Sequence, residues 1–159
     1  MTTILLAIDA PPGKPLQHVN RAIEMAAQLI RDKTDHVIVM HVREFSLARL
    51  ARTMRDEGGA PGRLAVHRVV ADMRRAGIRA SAVIREADTG HVAQTILAAA
   101  AEFDAGLIIL GTREDTNLPR TPLDMATHLL HMSTLPVLIV PTDLGAETVC
   151  RAPATATST

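Results

Sequence analysis

The sequence predicts an α/β fold with a parallel sheet, because five short apolar segments alternate with segments of helical periodicity. The apolar segments are "TILLAID", "HVIVMHV", "IRASAVIR", "GLIILG" and "PVLIVP", which begin at Thr3, His36, Ile78, Gly106 and Pro136. Three of them are nearly continuous Ile, Leu and Val, which is typical of strands buried on both faces of a parallel sheet. Each apolar segment is therefore predicted to be one strand.

Between the strands, apolar residues recur at the spacing of one helical face. These residues are Leu16, Val19, Ile23, Ala26 and Ile30; Val66, Val69, Val70 and Met73; and Val92, Ile96, Ala99 and Phe103. The segment from Ser46 to Arg63 is polar and ends in "DEGGAPGR", so we expect a long connection there with room for one short helix. Residues 143–159 are small and polar, and we expect them to form a tail behind a globular domain of residues 1–142.

The composition argues against several classes of function. Lys and Arg together number 17 and Asp and Glu also number 17, so there is no basic excess of the kind that nucleic-acid binding requires. The chain has two Phe and no Trp or Tyr, so almost no aromatic surface is offered to nucleobases. No apolar segment approaches the roughly 20 residues that span a bilayer. Cys150 is the only cysteine, which favours a reducing compartment, and the cytoplasm is expected.

A ligand site is expected at the carboxyl ends of the strands, where open α/β sheets bind their ligands. Asp9 ends the first apolar segment, and Gly111 ends the fourth. An Asp at a strand end also forms Asx turns, and that purely structural role for Asp9 stays open.

These strand ends and their spacing resemble the universal stress protein family. "TILLAIDA" resembles the first strand with its terminal Asp, "VIVMHV" the second strand, and "AEFDAGLIILGT" the fourth strand with the loop after it. "STLPVLIVP" resembles the closing strand, so the resemblance runs from Thr3 to Pro141. It implies a three-layer, Rossmann-like sandwich similar to the adenine nucleotide alpha hydrolases, with about four helices and the strand order 3-2-1-4-5. It also implies that Asp9 and Val42 lie near the base and ribose of a nucleotide.

The resemblance further implies a homodimer in which the last strand pairs with its own copy. The residues of that strand are Val137, Leu138, Ile139 and Val140. An apolar strand at the edge of a sheet invites aggregation unless something covers it, and a second copy would do so. The alternative is an edge that the polar tail covers.

The loop that begins at Gly111 departs from the family pattern. ATP-binding members carry glycines early in this loop and a glycine followed by Ser or Thr at its end, because glycine lets backbone N–H groups approach phosphates. Here Glu114 replaces an early glycine. Counting forward puts Asp124 and Met125 at the last two positions, whereas counting back from the closing strand puts Leu123 and Asp124 there.

Asp124 opposes phosphate binding in either register. Thr121, Pro122 and Asp124 are typical of a helix N-cap, the first helical position and an acid in the first turn. Two like charges about 4 Å apart repel by about 4 kcal/mol at an effective dielectric constant of about 20. We therefore expect no conventional ATP binding and no resident cofactor. The alternative is an adenine-nucleotide sensor with an altered phosphate site, which would take ATP, AMP or a cyclic nucleotide.

No set of residues predicts an enzyme or a metal centre. His128 and His131 are three positions apart, but no third ligand is evident, and a histidine late in a helix is favoured by the helix dipole. The expected function is therefore that of a homodimeric stress-response or regulatory protein that acts through a protein partner. We expect neither nucleic acid nor a membrane among its partners.

Overall fold

The computed structural model describes residues 1–8, 17–45, 60–112 and 122–141, and these residues alternate between strand and helix. The elements are β1 (Thr3–Ala7), α1 (Gln17–Leu29), β2 (His36–Phe45), α2 (Ala60–Arg75), β3 (Arg79–Asp88), α3 (Val92–Glu102), β4 (Leu107–Thr112), α4 (Pro122–Met132) and β5 (Val137–Pro141). The predicted α/β fold is confirmed. Asp9, Glu114, the tail of residues 143–159 and most of the Ser46 to Arg63 connection lie outside the described residues.

The strands form one five-stranded sheet in the order β3-β2-β1-β4-β5, as predicted. All pairs are parallel, and Ala7 of β1 is in register with Met40 of β2 and Leu110 of β4. Every residue of β1 is buried. The centre of the sheet is therefore the most apolar part of the chain, and β3 and β5 are its two edges.

The helices cover both faces of the sheet, which gives the three layers that were expected. On one face α1 and α2 contribute a core cluster that includes Ala22, Ala26, Val66, Val69, Val70 and Met73. On the other face α3 and α4 contribute a second cluster that includes Ala93, Ile96, Ala99, Ala126 and Leu129. No helix among the described residues is both long enough and apolar enough to cross a bilayer.

Helix α2 and two strands extend further than the sequence predicts. Helix α2 begins at Ala60, whereas Ser46 to Arg63 was expected to be a connection. Pro61 explains the difference, because the first turn of a helix does not use the N–H group that proline lacks. Strands β2 and β3 continue to Phe45 and Asp88 and pair with each other there. Residues such as Glu86 are exposed in this extension, so apolar content alone did not reveal it.

The buried carboxylate of Asp35 ties the start of β1 to the turn between α1 and β2. Its Oδ1 accepts a hydrogen bond from the backbone N–H of Thr2 at 2.7 Å. Its Oδ2 accepts hydrogen bonds from the backbone N–H groups of Arg31 and Asp32 at 3.1 and 3.0 Å. These hydrogen bonds, that of Thr2 first, hold the pKa of Asp35 below its ordinary value of 3.8, because they stabilise the ionised form.

We predict that Asp35→Asn lowers the thermal midpoint and removes part of the acid sensitivity of the fold. The pKa of Asp35 is lower in the folded chain than in the unfolded chain, so its stabilising contribution is present above pH 3.8 and is lost as pH falls through the lowered value. Circular dichroism at pH 7 and pH 3 measures both midpoints. Asp32→Asn is the matched control, because Asp32 is exposed and accepts one backbone hydrogen bond, from Thr34. Equal midpoints for the two variants at pH 7 would contradict the role of Asp35.

Candidate functional site

The carboxyl ends of β1, β2 and β4 lie together at one end of the sheet, its carboxyl edge, and the candidate site lies there. Ile8 directly follows β1, is buried and donates its backbone N–H to the carbonyl of Met40 at 2.9 Å. Because Ala7 is level with Met40 and Leu110, Gly111 lies one residue beyond that level on β4 and Val42 two residues beyond it on β2. The two described candidates, Val42 and Gly111, therefore flank the end of β1 on either side.

The surroundings of these two residues differ. Val42 is half-buried and packs against the core cluster that α3 and α4 share with the sheet. Met125, on α4, is half-buried and packs against the same cluster, so both line the same face of the sheet. Gly111 is buried and in register with Val140 of β5. An apolar wall is thus present on the α3 and α4 side of this edge.

Helix α4 begins at Pro122, which is the first helical position that the sequence predicts. Asp124 consequently belongs to the first turn of α4, where backbone N–H groups have no partner inside the helix. Thr121, Glu114 and Asp9 lie outside the described residues, and the side chains of Leu123 and Asp124 do too. The structure therefore agrees with the predicted start of α4 at Pro122. The roles of Glu114, Leu123 and Asp124 in the phosphate loop stay predictions.

His41 is a residue of this edge that the sequence analysis did not single out. Its Nδ1–H donates to the carbonyl of Ile8 at 3.1 Å, so the imidazole spans the ends of β1 and β2. Gly62, in the first turn of α2, packs directly on the ring, and a Cβ added to Gly62 would lie 2.5 Å from Cδ2 and Nε2 of His41. In the sequence, His41 is marked only by its position inside the apolar segment "HVIVMHV", which is a weak indication of a functional residue.

The turn that leads into α3 is held at the same edge. Gly90, with a positive φ of 87°, donates its backbone N–H to the carboxylate of Glu44 at 3.2 Å. Gln94, in the first turn of α3, has a buried Oε1 with no hydrogen-bond partner in the described part of the chain. A buried, unpaired amide oxygen is uncommon in folded proteins.

The two histidines of α4 lie elsewhere. His128 and His131 are both exposed on the surface of the helix. Among the described residues, no group of three or more His, Cys, Asp or Glu side chains comes together. The imidazole of His131 lies in the last turn of α4, where its positive form would interact favourably with the helix dipole.

The sequence matches the model of the universal stress protein family over residues 1–141. The chain belongs to the universal stress protein family. Comparison with curated proteins found no match.

Solved structures of universal stress proteins share the fold. A protein of this family from Burkholderia pseudomallei is 26% identical, with a TM-score of 0.62 over 88% of this chain and 96% of that one. A family protein from Arabidopsis thaliana with AMP bound is 16% identical, with a TM-score of 0.65 over 91% of this chain and 94% of that one. The universal stress protein from Archaeoglobus fulgidus in complex with dAMP is 21% identical, with a TM-score of 0.64 over 87% of this chain and 97% of that one.

We predict that Gly62→Ala lowers the free energy of unfolding by up to about 2 kcal/mol, because overpacking costs about 1–3 kcal/mol and the helix preference of alanine returns about 1 kcal/mol. The added methyl group would push His41 away from the carbonyl of Ile8. Alanine favours a helix over glycine by about 1 kcal/mol, so the measured loss is what remains after that gain. Urea denaturation followed by circular dichroism measures it, since the chain has no Trp or Tyr.

Two further variants test the cause. Gly106→Ala is the control, because its Cβ would meet only Thr2 Cγ2, at an ordinary 3.6 Å, and the carbonyl oxygen of Thr3 at 4.0 Å. In a His41→Ala background, Gly62→Ala should become neutral or stabilising, because the clashing ring is gone. A loss that persists in that background would contradict the contact as its cause.

Proposed function

We propose that this universal stress protein is a homodimeric stress-response or regulatory protein of the cytoplasm that acts by binding rather than by catalysis. We propose further that it does not bind ATP in the manner of the ATP-binding family members. The observation that carries this second point is the start of α4 at Pro122, which puts Asp124 in the first helical turn. A carboxylate in this turn would compete with a phosphate for the N–H groups at the start of the helix.

The energetic argument concerns the number of charges on the ligand. A carboxylate about 4 Å from a phosphate costs about 4 kcal/mol at an effective dielectric constant of about 20, and half of that weakens binding more than tenfold. Glu114 and Asp115 add negative charge to the same loop, and Arg113 and Arg120 offset part of it. The penalty grows with each phosphate, so ATP suffers most and adenosine least.

An adenine-nucleotide sensor is the second candidate function. Two solved relatives contain AMP and dAMP, each of which carries a single phosphate. Val42 and Met125 offer an apolar wall on the side of the sheet covered by α3 and α4. A base pocket without a triphosphate site would thus select adenosine, AMP or a cyclic nucleotide.

We predict that the native chain binds ATP with magnesium more weakly than adenosine or AMP. The double variant Glu114→Gln with Asp124→Asn should tighten ATP binding by more than about tenfold, because it removes two negative charges and changes little volume. Isothermal titration calorimetry with ATP, AMP, adenosine and cyclic AMP measures these affinities.

The matched controls separate the loop charges from a general effect. Asp104→Asn removes an exposed charge next to the start of β4, at the other end of the sheet, and should leave every affinity unchanged. Adenosine has no phosphate, so the double variant should not alter its binding. If ATP with magnesium binds the native chain tightly and contacts Asp9 and Gly111, the proposal is wrong. Heat from none of the four ligands would remove the sensor and direct the search to protein partners.

The homodimer rests on the exposed edge of β5. Val137, Leu138 and Ile139 are half-buried within the chain, and Val140 is buried. Leu130 and Met132, in the preceding helix, are 50% and 43% exposed, so apolar surface continues beside the strand. A second copy pairing through β5 would cover both the backbone edge and this surface.

We predict that the native chain sediments as a dimer and that Ile139→Lys dissociates it into monomers, because a charge at the strand would be buried between two copies. Sedimentation velocity gives the assembly state, and far-UV circular dichroism verifies that the variant remains folded. Leu64→Lys is the control, because Leu64 is 69% exposed on α2, on the other face of the sheet. A monomeric native chain, or equal dissociation by Leu64→Lys, would contradict a dimer through β5.

A further inference from the structure

An open cavity lies at the other end of the sheet, opposite the carboxyl ends of the strands. It is open to solvent, has a volume of about 440 Å³ and lies at the amino ends of β2 and β3. Its side chains are those of His36, Arg74, Arg79 and Ser81, and the turn at Gly77 and Ile78 closes one side. The site proposed above lies at the carboxyl ends of the strands, so the two are separated by the length of the sheet.

Three cationic or protonatable side chains converge on this cavity from three elements. Arg79 comes from β3, Arg74 from the last turn of α2, and His36 from the start of β2. Arg74 Nε donates to the carbonyl of Ala80 at 2.9 Å, and Arg79 Nη1 donates to that of Thr34 at 3.4 Å. Both contacts are to neutral carbonyls. Within the described residues neither guanidinium is paired with a carboxylate, so their charges are not neutralised there.

In the part of the chain that the structure describes, three acids lie near the cavity: Asp72 on α2, and Asp32 and Asp35, which line an adjoining pocket together with Lys33 and Arg79. Asp72, on α2, pairs with Arg75, and neither side chain lines the cavity. Asp35 precedes His36 in the chain, and its two carboxylate oxygens accept hydrogen bonds from three backbone N–H groups. The carbonyls of Met73 and Arg74 at the end of α2 accept hydrogen bonds from Ile78 and Gly77, so these two do not present unpaired oxygens to the cavity.

The imidazole of His36 responds to this positive field. Burial, and then the charges of Arg79 and Arg74, hold its pKa below the ordinary value of 6.5. Its Nε2 is 2.7 Å from Ser81 Oγ. In neutral His36, Nε2 is free to accept the hydroxyl proton of Ser81. Once His36 takes a proton from solvent, Nε2–H donates to Ser81 Oγ, and the hydroxyl is free to donate to a bound anion.

We propose that this cavity binds an oxyanion, the phosphate group of a small molecule, through Arg79, Arg74, Ser81 and protonated His36. Planar guanidinium groups bind phosphate oxygens with paired N–H donors, which makes arginine well suited to this ligand. The cavity is wider than a phosphate group alone, so part of the volume is left for the rest of the molecule. The ligand completes the charge balance that the described residues leave open.

Nuclear magnetic resonance of the His36 ring tests the proposal directly. The ring is titrated with acid in sodium chloride and in sodium sulfate of equal ionic strength, because sulfate keeps its charge over this pH range. A bound oxyanion opposes the charges of Arg79 and Arg74, so sulfate should raise the pKa of His36. A tenfold preference for the protonated ring raises it by about one unit. Exposed His128 and His131 serve as internal controls and should titrate alike in both salts.

Variants identify the side chains that bind the ion. Arg79→Gln should weaken binding of inorganic phosphate about tenfold, because it removes one charge-assisted hydrogen bond. Arg75→Gln is the matched control, since Arg75 is exposed, lies on the same helix as Arg74 and does not line the cavity. Equal weakening by both variants, or a His36 pKa that sulfate leaves unchanged, would overturn the proposal.

Two probes distinguish the sources of the phosphate group. Tighter binding of phenyl phosphate than of inorganic phosphate supports an organic phosphate whose remainder fills the cavity. Weaker binding of phenyl phosphate than of inorganic phosphate would contradict an organic phosphate as the ligand and would assign the cavity to the free ion. Adenosine serves as the negative control, because it has no phosphate and should leave the His36 resonances unshifted. The His36 resonances therefore report on this cavity, whether or not the site at the carboxyl ends of the strands binds a nucleotide.

Discussion

Strand β1 is buried over its whole length, and the other elements are arranged so that it stays out of water. None of its five residues, Thr3 to Ala7, has an exposed side chain. Helices must therefore cover both faces of the sheet at β1, and a neighbouring strand must lie on each side of β1. Strands β2 and β4 are these two neighbours, and the two core clusters cover the two faces. With two Phe and no Trp or Tyr, aliphatic side chains fill nearly all of this volume. The register at Ala7 within this aliphatic core brings Val42 and Gly111 to the same end of the sheet.

The two ends of this rigid sheet meet different electrostatic demands. At the carboxyl end, the sequence places Asp124 in the first turn of α4, where the helix dipole favours a negative charge. At the amino end, α2 finishes with Arg74 and Arg75, which is the favourable sign for a helix C-terminus. Arg75 is neutralised by Asp72, whereas Arg74 turns to the edge strand and donates to the carbonyl of Ala80. That hydrogen bond also occupies a carbonyl of the edge strand, which would otherwise be open to another chain.

The fold was predictable because its strands are short runs of Ile, Leu and Val separated by clear helical patterns. What escaped prediction depends on contacts between distant residues. The extensions of β2 and β3 are stabilised by their mutual pairing and carry exposed residues such as Glu86, so no apolar pattern marks them. His41 and Gly62 belong to different elements, and only the packing of α2 on the sheet shows that the glycine makes room for the ring. The strand ends bring Val42 and Gly111 together, because parallel strands expose their carboxyl ends at one end of the sheet, and the binding role of these residues stays a prediction.

Charge totals illustrate why composition alone gives an incomplete account of function. The 17 basic and 17 acidic residues cancel in the sum, which argues against a nucleic-acid-binding surface. A ligand, however, responds to charges within about a Debye length, roughly 8 Å at physiological ionic strength, and not to the total. In the sequence, the loop after β4 carries Glu114 and Asp115, whereas the cavity beside His36 is lined by Arg74 and Arg79. A chain with no net charge can therefore present opposite local charges at the two ends of its sheet.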